Sequence, residues 1–208
     1  MKGCFAPSPK HHDNANHLEP VKPIKQLPHL FQAMISVQTQ RLTLIALPLA
    51  EFELFLDNQP QLAERLGLVP DALQIEKAFW EEGVQDMRSY SLPKLAENPD
   101  HYELYTVWLI VLNEENRMVG GIGVAGEPNE AGESILGYFV DERYEGRGIA
   151  TEATKAMTAW ALQLPAVKSV IAYTLADGIA SQKVLQKSGF VADGIAEDGN
   201  PRWRYIKV

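Results

Sequence analysis

From Val37 onward, apolar residues fall into runs whose period switches between about two and about 3.6 residues, and each switch marks a new element. Residues 41–46 read as a strand, ended by Pro48. Leu49, Phe52 and Leu56 recur at helical spacing, and Leu73, Trp80, Val84 and Met87 mark one face of a second helix. Residues 91–101, with Pro93 and Pro99, read as a loop. Residues 105–112 and 117–124 are two strands joined by a short polar connection, which predicts an antiparallel hairpin. After a loop over residues 126–132, the strand at 135–140 is apolar at nearly every position, as expected when both faces are buried. Ala153, Met157, Trp160 and Leu164 form one helical stripe closed by Pro165. A strand at 167–175 and a helix at 179–188 follow. Ala180, Val184 and Leu185 are expected to face inward, with Gly189 as the left-handed terminator. Residues 190–191 and 203–208 are the final strand candidates. This order predicts an α/β layered domain with a mixed sheet.

Residues 1–35 follow no such pattern. Pro7, Pro9, Pro20, Pro23 and Pro28 punctuate them, and four of the five histidines lie there. This composition predicts a flexible or loosely docked leader preceding a single domain over residues 36–208. His11, His12, His17 and His29 show no ligand spacing, so no metal is expected. The single cysteine, Cys4, cannot form an intramolecular disulfide. No apolar stretch reaches the roughly 18 residues that span a membrane, and no secretory signal is evident, so a cytoplasmic location and no membrane partner are expected. The formal net charge of -8 disfavours nucleic acid and suits a cationic or amine substrate, or simply maintains solubility.

The segment with the most chemistry runs from Gly137 to Ala153. A strand enters a turn of small residues, Gly146-Arg147-Gly148-Ile149-Ala150-Thr151, and the turn opens a helix. The first amides of a helix have no internal partners, and with the helix dipole they form an anion site. The glycines leave room for a phosphate, and Arg147 adds positive charge. A P-loop would need Gly-Lys-Ser/Thr, which does not occur, and a dinucleotide fingerprint would need a third glycine where Thr151 stands. A tight connection with no ligand is the remaining alternative.

The same segment resembles the "GYWLxPxYxGKGYATEA" pattern of the ribosomal-protein N-acetyltransferase (RimJ/RimL-like) branch of the GNAT superfamily. Residues 180–190, Ala-Ser-Gln-Lys-Val-Leu-Gln-Lys-Ser-Gly-Phe, resemble that family's "NxxSxxVLxKxGF" helix, and residues 39–44 its "TxRLxLR" first strand. The resemblance covers about residues 37–208. It implies a mixed, mostly antiparallel twisted sheet with a splayed parallel pair in the middle and helices on both faces. It implies acetyl-CoA as co-substrate, with its pantetheine arm along Phe139 and Val140 and its pyrophosphate on the amides from Gly146 through Thr151, beside Gly178 and Ser181. The acceptor it implies is a primary amine, either a protein N-terminus or a small molecule, attacked directly in a ternary complex.

An amine of pKa ~8 needs about 1.4 kcal/mol to lose its proton at pH 7, and a lysine near 10.4 about 4.6 kcal/mol, so an α-amine asks less of the protein. The resemblance gives Ser181 the role of thiolate acid. Tyr173 is a second candidate acid, and a backbone N–H near Val140 an oxyanion donor. Ser181 and Tyr173 also have structural readings, as a helix-start group and a core residue. Where the family often has Glu, this chain has Ile135. Glu133 lies two residues earlier on the same strand face, as a candidate base or a solvated carboxylate. The family's Asn is Gly178 here, and Glu145 opens the pyrophosphate motif, where it is expected to turn toward Arg143 or Arg147. These departures keep open an acyl-CoA-binding sensor or structural protein without turnover. Trp80, Phe79 and Trp108 read as core, although the resemblance puts substrate choice in the early helices and the 126–132 loop. Edge strands near the C-terminus leave room for a homodimer.

Overall fold

The structure, a computed structural model, describes residues 34–197 and 199–206. The expected leader and its histidines fall almost wholly outside them. At its end, Met34 is already buried, and Ile35 donates its amide to the Tyr102 hydroxyl at 3.1 Å.

Among the described residues, eight strands form one sheet in the order β1-β2-β3-β4-β5-β6-β8-β7. They are β1 (Ser36–Gln38), β2 (Leu42–Ala46), β3 (Trp108–Leu112), β4 (Arg117–Val124), β5 (Glu133–Val140), β6 (Ser169–Tyr173), β7 (Val191–Ile195) and β8 (Pro201–Ile206). Every neighbouring pair is antiparallel except β5 and β6, which run parallel. A parallel pair needs a crossover, and helix α5 (Ile149–Ala161) supplies it. Helices α1 (Leu49–Asp57), α2 (Gln59–Arg65), α3 (Lys77–Asp86) and α4 (Leu92–Glu97) precede β3, and α6 (Ile179–Lys187) follows β6.

Strands β2 and β3 are buried at every position because helices cover both faces of the sheet. On one face, Leu42, Leu44, Trp108 and Ile110 pack with Ile149, Ala153 and Met157 of α5 and Leu185 of α6. On the other, Ile45, Leu109 and Val111 pack with Phe52 and Phe55 of α1, Leu62 of α2 and Leu95 of α4. Trp108 is fully buried against Trp160, 4.7 Å between ring centroids, in keeping with its reading as core.

Four expectations are corrected. Residues 91–101 are not a loop: α4 and a 3-10 turn, Pro99–Leu104, occupy them. Proline read as a breaker, but Pro99 stands in a first turn, where no intrahelical N–H is lost, and Pro93 follows directly on the wider π-helical turn Met87–Ser91, where the helical ladder is already irregular. Leu73 lies before its helix, and α2 was not foreseen, with Pro60 likewise in its first turn. Strand β5 is not buried on both faces, because Ile135 and Gly137 are exposed. Ala180 is exposed rather than inward.

Two polar clamps fix the strand-turn-helix that follows β5. At the start of α5, Glu152 accepts from the Thr39 hydroxyl (2.6 Å), the Arg41 amide (2.9 Å) and the Arg41 guanidinium (2.6 Å), while Arg41 also donates to the Arg147 carbonyl at 3.0 Å. At the end of β5, the fully buried Asp141 accepts from the amides of Gln74 (3.0 Å) and Arg143 (2.9 Å) and from the Arg143 side chain (2.6 Å). Burial pushes both carboxyls up. For Asp141 the Arg143 side chain and the two amides outweigh it, and for Glu152 the Thr39 and Arg41 hydrogen bonds do, so both titrate below the usual carboxylate range. A carboxylate with a depressed folded pKa adds stability above its unfolded value near 4, and this is lost as the pH falls through the folded value. Thermal melts should therefore lose stability below about pH 4. Asp141→Asn should lower stability at pH 7 by roughly 2–4 kcal/mol and flatten the acid limb, and an unchanged melting profile would refute the clamp.

Candidate functional site

The site begins where the sheet opens. Backbone bonds from Ala125 N to Ile135 O and from Asp141 N to Val119 O set the parity of the β4–β5 ladder. Counting by two, the backbone groups of Tyr138 and Val140 point the other way, toward β6. Strand β6 pairs with β5 only from Glu133–Ser169 to Ile135–Ile171, then continues along β8 as far as Tyr173. Beyond Ile135 the two parallel strands part, and Tyr138 and Val140 have no strand partner on that side. Gly120 lets β4 approach closely here: a Cβ on it would lie 2.3 Å from the Phe139 carbonyl oxygen.

This gap is the centre of a cleft of about 1010 Å³ lined from both sides of the sheet. Its far end is the turn 145–148 and the first turn of α5. Gly146 and Gly148 have φ of 71° and 77°, values that side chains resist. Gly148 is the N-cap and offers no side chain, so the first amides of α5 stay uncapped. A Cβ on Gly146 would meet nothing within 4 Å, leaving the backbone bare. Lys183 and Lys187 of α6 line the cleft, and Lys155 joins Lys187 in a neighbouring depression beside Gly148 and Thr151. These lysines give the turn a positive setting within an acidic chain, and sequence reasoning had not assigned them a role.

The structure brings Phe139, Val140, Gly146, Gly148, Ile149, Ala150, Thr151, Tyr173, Gly178 and Ser181 to this one cleft. Two of the expected site residues are absent from its walls. Arg147 turns away: its guanidinium lies 4.7 Å from the Tyr144 ring centroid and 3.7 Å from Glu115. Glu133 is pinned by Arg202 (2.7 Å) and Arg204 (2.6 Å) and accepts from Asn129 at 3.0 Å. The Asn129 hydrogen bond, followed by those of the arginines, overcomes burial and holds Glu133 below the usual carboxylate range. Such a group is a poor base at neutral pH.

Ser181, on the first turn of α6, meets a partner that sequence reasoning gave no role. Its hydroxyl lies 2.8 Å from the Tyr138 hydroxyl, which also donates to the Ser181 carbonyl at 3.1 Å. Burial pushes the Tyr138 phenol up, only partly offset by Ser181. The available signal was parity, since Tyr138 shares a strand face with Val140. By strand register, Tyr173 shares a face with Ile135 and Glu133, opposite to Tyr138, so the two candidate acids stand on opposite sides of the gap.

Gly178 caps α6 without a side chain, and the Gln182 amide donates to the carbonyls of Leu175 (3.2 Å) and Ala176 (3.1 Å), ordering the loop from one turn inside the helix. Glu145 lines the cleft, and among the described residues no cation forms an ion pair with it; Arg143 is engaged by Asp71 and Asp141. Phe79 and Trp80 line the opposite half. Trp80 packs edge-on to Phe139 with 5.8 Å between centroids, while Phe79 is 52% exposed and therefore wall rather than core. Glu76 also lines this half, but its carboxylate caps α3 through the amides of Phe79 and Ala78, which hold it below the usual range. Among the described residues, no group of three or more His, Cys, Asp or Glu is placed to hold a metal, and no helix is long and apolar enough to cross a membrane.

The chain is similar to several known proteins. An uncharacterized N-acetyltransferase of Bacillus subtilis, YjdG, is 33% identical over 99 residues, which are 48% of this chain and 58% of that protein's length. The ribosomal-protein-S5-alanine acetyltransferase of Vibrio fischeri superposes with a TM-score of 0.58 at 20% identity, covering 83% of this chain and 96% of the other. A ribosomal L7/L12 α-N-protein acetyltransferase, RimL, solved in complex with coenzyme A, gives a TM-score of 0.56 at 16% identity, covering 83% and 98%. These likenesses establish the fold. Residues 41–191 match the acetyltransferase (GNAT) domain model, and the chain belongs to that family.

Proposed function

We propose that this protein transfers the acetyl group of acetyl-CoA to a primary α-amine, a protein N-terminus being the favoured acceptor, in the manner of the RimJ/RimL-like branch. The observation that carries the reading is the gap between β5 and β6, which leads from two unpartnered strand residues to an uncapped helix start. A pantetheine arm is an amide chain of strand-like length. It fits where Tyr138 and Val140 lack a partner, and a pyrophosphate fits the amides of Ile149, Ala150 and Thr151. Bound there, acetyl-CoA supplies a thioester carbonyl beside the Val140 amide, which donates to the oxygen as it gains charge.

The proton for the leaving sulfur comes from the Ser181 hydroxyl, which takes one in turn from the amine nitrogen as the amide forms, while Tyr138 holds that hydroxyl in place across the 2.8 Å contact. No base role falls to Glu133 or to Glu76, whose carboxylates are committed to other partners. An acceptor that loses its own proton cheaply therefore suits the cleft, which favours an α-amine over a lysine side chain.

Calorimetry should show acetyl-CoA binding, and kcat/KM on an amino-terminal peptide should rise with pH as the amine deprotonates near pH 8. Ser181→Ala and Tyr138→Phe should each lower kcat roughly 10²-fold with acetyl-CoA affinity kept. Unchanged turnover in either removes that residue from the role. Binding without release of thiol on any amine would replace this reading with that of an acyl-CoA sensor.

Glu145 faces the same pocket as the amides proposed for the pyrophosphate, and among the described residues no cation forms an ion pair with it. Glu145→Gln should tighten acetyl-CoA roughly two- to threefold at low salt and less at high salt. Weaker binding in that variant would mean the carboxylate contributes a favourable contact.

A further inference from the structure

Helix α3 buries none of its residues, although it carries Phe79, Trp80 and Val84. Its cleft face reads Glu76, Phe79, Trp80, Gly83 and then Met87 and Tyr90, positions three or four apart that fall on one side of a helix. The chain continues through a π-helical turn, Met87–Ser91, directly into α4, so this wall is one rod from Lys77 to Glu97. Within it, Gly83 is a hole. A Cβ there would meet nothing within 4 Å, and Gly83 is not among the glycines with positive φ, so its backbone does not require glycine. Glycine inside a helix costs about 1 kcal/mol relative to alanine. Here it leaves a notch between Phe79, one turn earlier, and Met87, one turn later, with Tyr90 beyond at 50% exposed. The notch opens on the same cleft as Phe139 and Val140.

We infer that the notch over Gly83 is a specificity subsite for an apolar side chain within the first two residues of a peptide acceptor. The inference rests on the acetyl-transfer reading for its choice of acceptor. Three features of the wall support it. Its side chains are aromatic or apolar around the hole, so a charged or hydrated group would lose water there without a partner. Of the wall residues that line the cleft, Glu76 alone carries a carboxylate, and it is committed to the helix amides, so this wall offers no free carboxylate to attract a polyamine. The lined wall also runs on past Gly83 to Tyr90 and Ser91 and across to Tyr105 and Gly126, farther than one side chain reaches, which suits a chain of residues rather than a lone amine.

The test uses the full chain loaded with coenzyme A, so that binding is read without turnover. Tetrapeptides carrying Leu, Phe, Gly or Asp at position one or two are titrated by calorimetry into wild type and Gly83→Leu. Acetylation of the same peptides and of phenethylamine is measured separately with acetyl-CoA. The subsite requires that the Leu or Phe peptides bind at least tenfold more tightly than the Gly and Asp peptides. It also requires that Gly83→Leu abolish this difference while leaving acetyl-CoA affinity within about twofold. The replacement removes a helix glycine, so the variant should melt no lower than wild type. Equal binding of all peptides, or an unaltered preference in Gly83→Leu, overturns the subsite. Binding and acetylation of phenethylamine alone, without any peptide, overturns the peptide as its occupant. Side-chain-selective peptide binding with no acetylation of any amine sustains the subsite and overturns the transfer reaction instead.

Discussion

The parting of β5 from β6 after Ile135 is the constraint on which the rest of the molecule turns. A sheet interior does not ordinarily leave strand backbone unpaired, because each orphaned N–H or C=O forgoes a hydrogen bond. Here the ladder is complete on the β4 side and stops on the β6 side, so the backbone of Tyr138 and Val140 faces an open cleft. Water or an extended ligand must satisfy it. On its other edge β6 stays paired: from Ser169 to Tyr173 it follows β8 along its whole length, and β8 holds β7. The C-terminal strands thus keep β6 ordered where it leaves its parallel neighbour. The ion pairs from Arg202 and Arg204 to Glu133 and Asp193 join β5, β7 and β8 at the closed end of the fork.

An open fork is useful only if its mouth is rigid, and the two clamps provide that. Thr39 and Arg41, at the start of β2, hold Glu152 in the first turn of α5. That carboxylate lies beside the uncapped amides of the helix start, and Arg41 offsets its charge while also fixing the Arg147 carbonyl. Asp141 and Arg143 do the same on the strand side, and Arg143 reaches on to Asp71 and the Ala72 carbonyl. Through Gln74, the segment entering α3 is tied to the segment entering the glycine turn. The aromatic wall of the cleft and its glycine turn therefore share one buried carboxylate.

The parts of this design that were legible in the sequence are those with local causes. The β3–β4 hairpin follows from two period-two runs and a four-residue polar connection. The start of α5 follows from small residues between a strand and an amphipathic stripe. The motif containing Thr39 and Arg41 and the motif containing Glu152 were each visible, but their contact across 113 and 111 residues was not. The same holds for Glu133, whose strand position was read correctly and whose partner Arg202 lies 69 residues away. Arg147 looked like a phosphate ligand because of its neighbours in sequence, whereas Tyr144 and Glu115 set where its side chain goes. Strand β5 looked buried on both faces because an apolar run cannot distinguish a surface that meets protein from one that lines an open cleft. Pro60 and Pro99 misled for a different reason: proline ends helices from within and begins them from the first turn, and only neighbouring structure tells which.

What the site lacks in basicity it replaces with geometry. Of the carboxylates near the gap, Glu133 is pinned and Glu76 caps a helix, and both titrate below their ordinary range. The groups with the opposite tendency are the hydroxyls on the other face, where burial keeps the Tyr138 phenol protonated next to Ser181. A cleft arranged in this way can return a proton to a leaving group more readily than it can take one from a nucleophile. Holding a neutral amine against a carbonyl removes much of the entropic barrier without any base. The residues that hold the acceptor then matter as much as those that touch the thioester. Under the proposed reading they lie on the helical run from α3 to α4, whose cleft face is aromatic and whose entry is tied to Asp141.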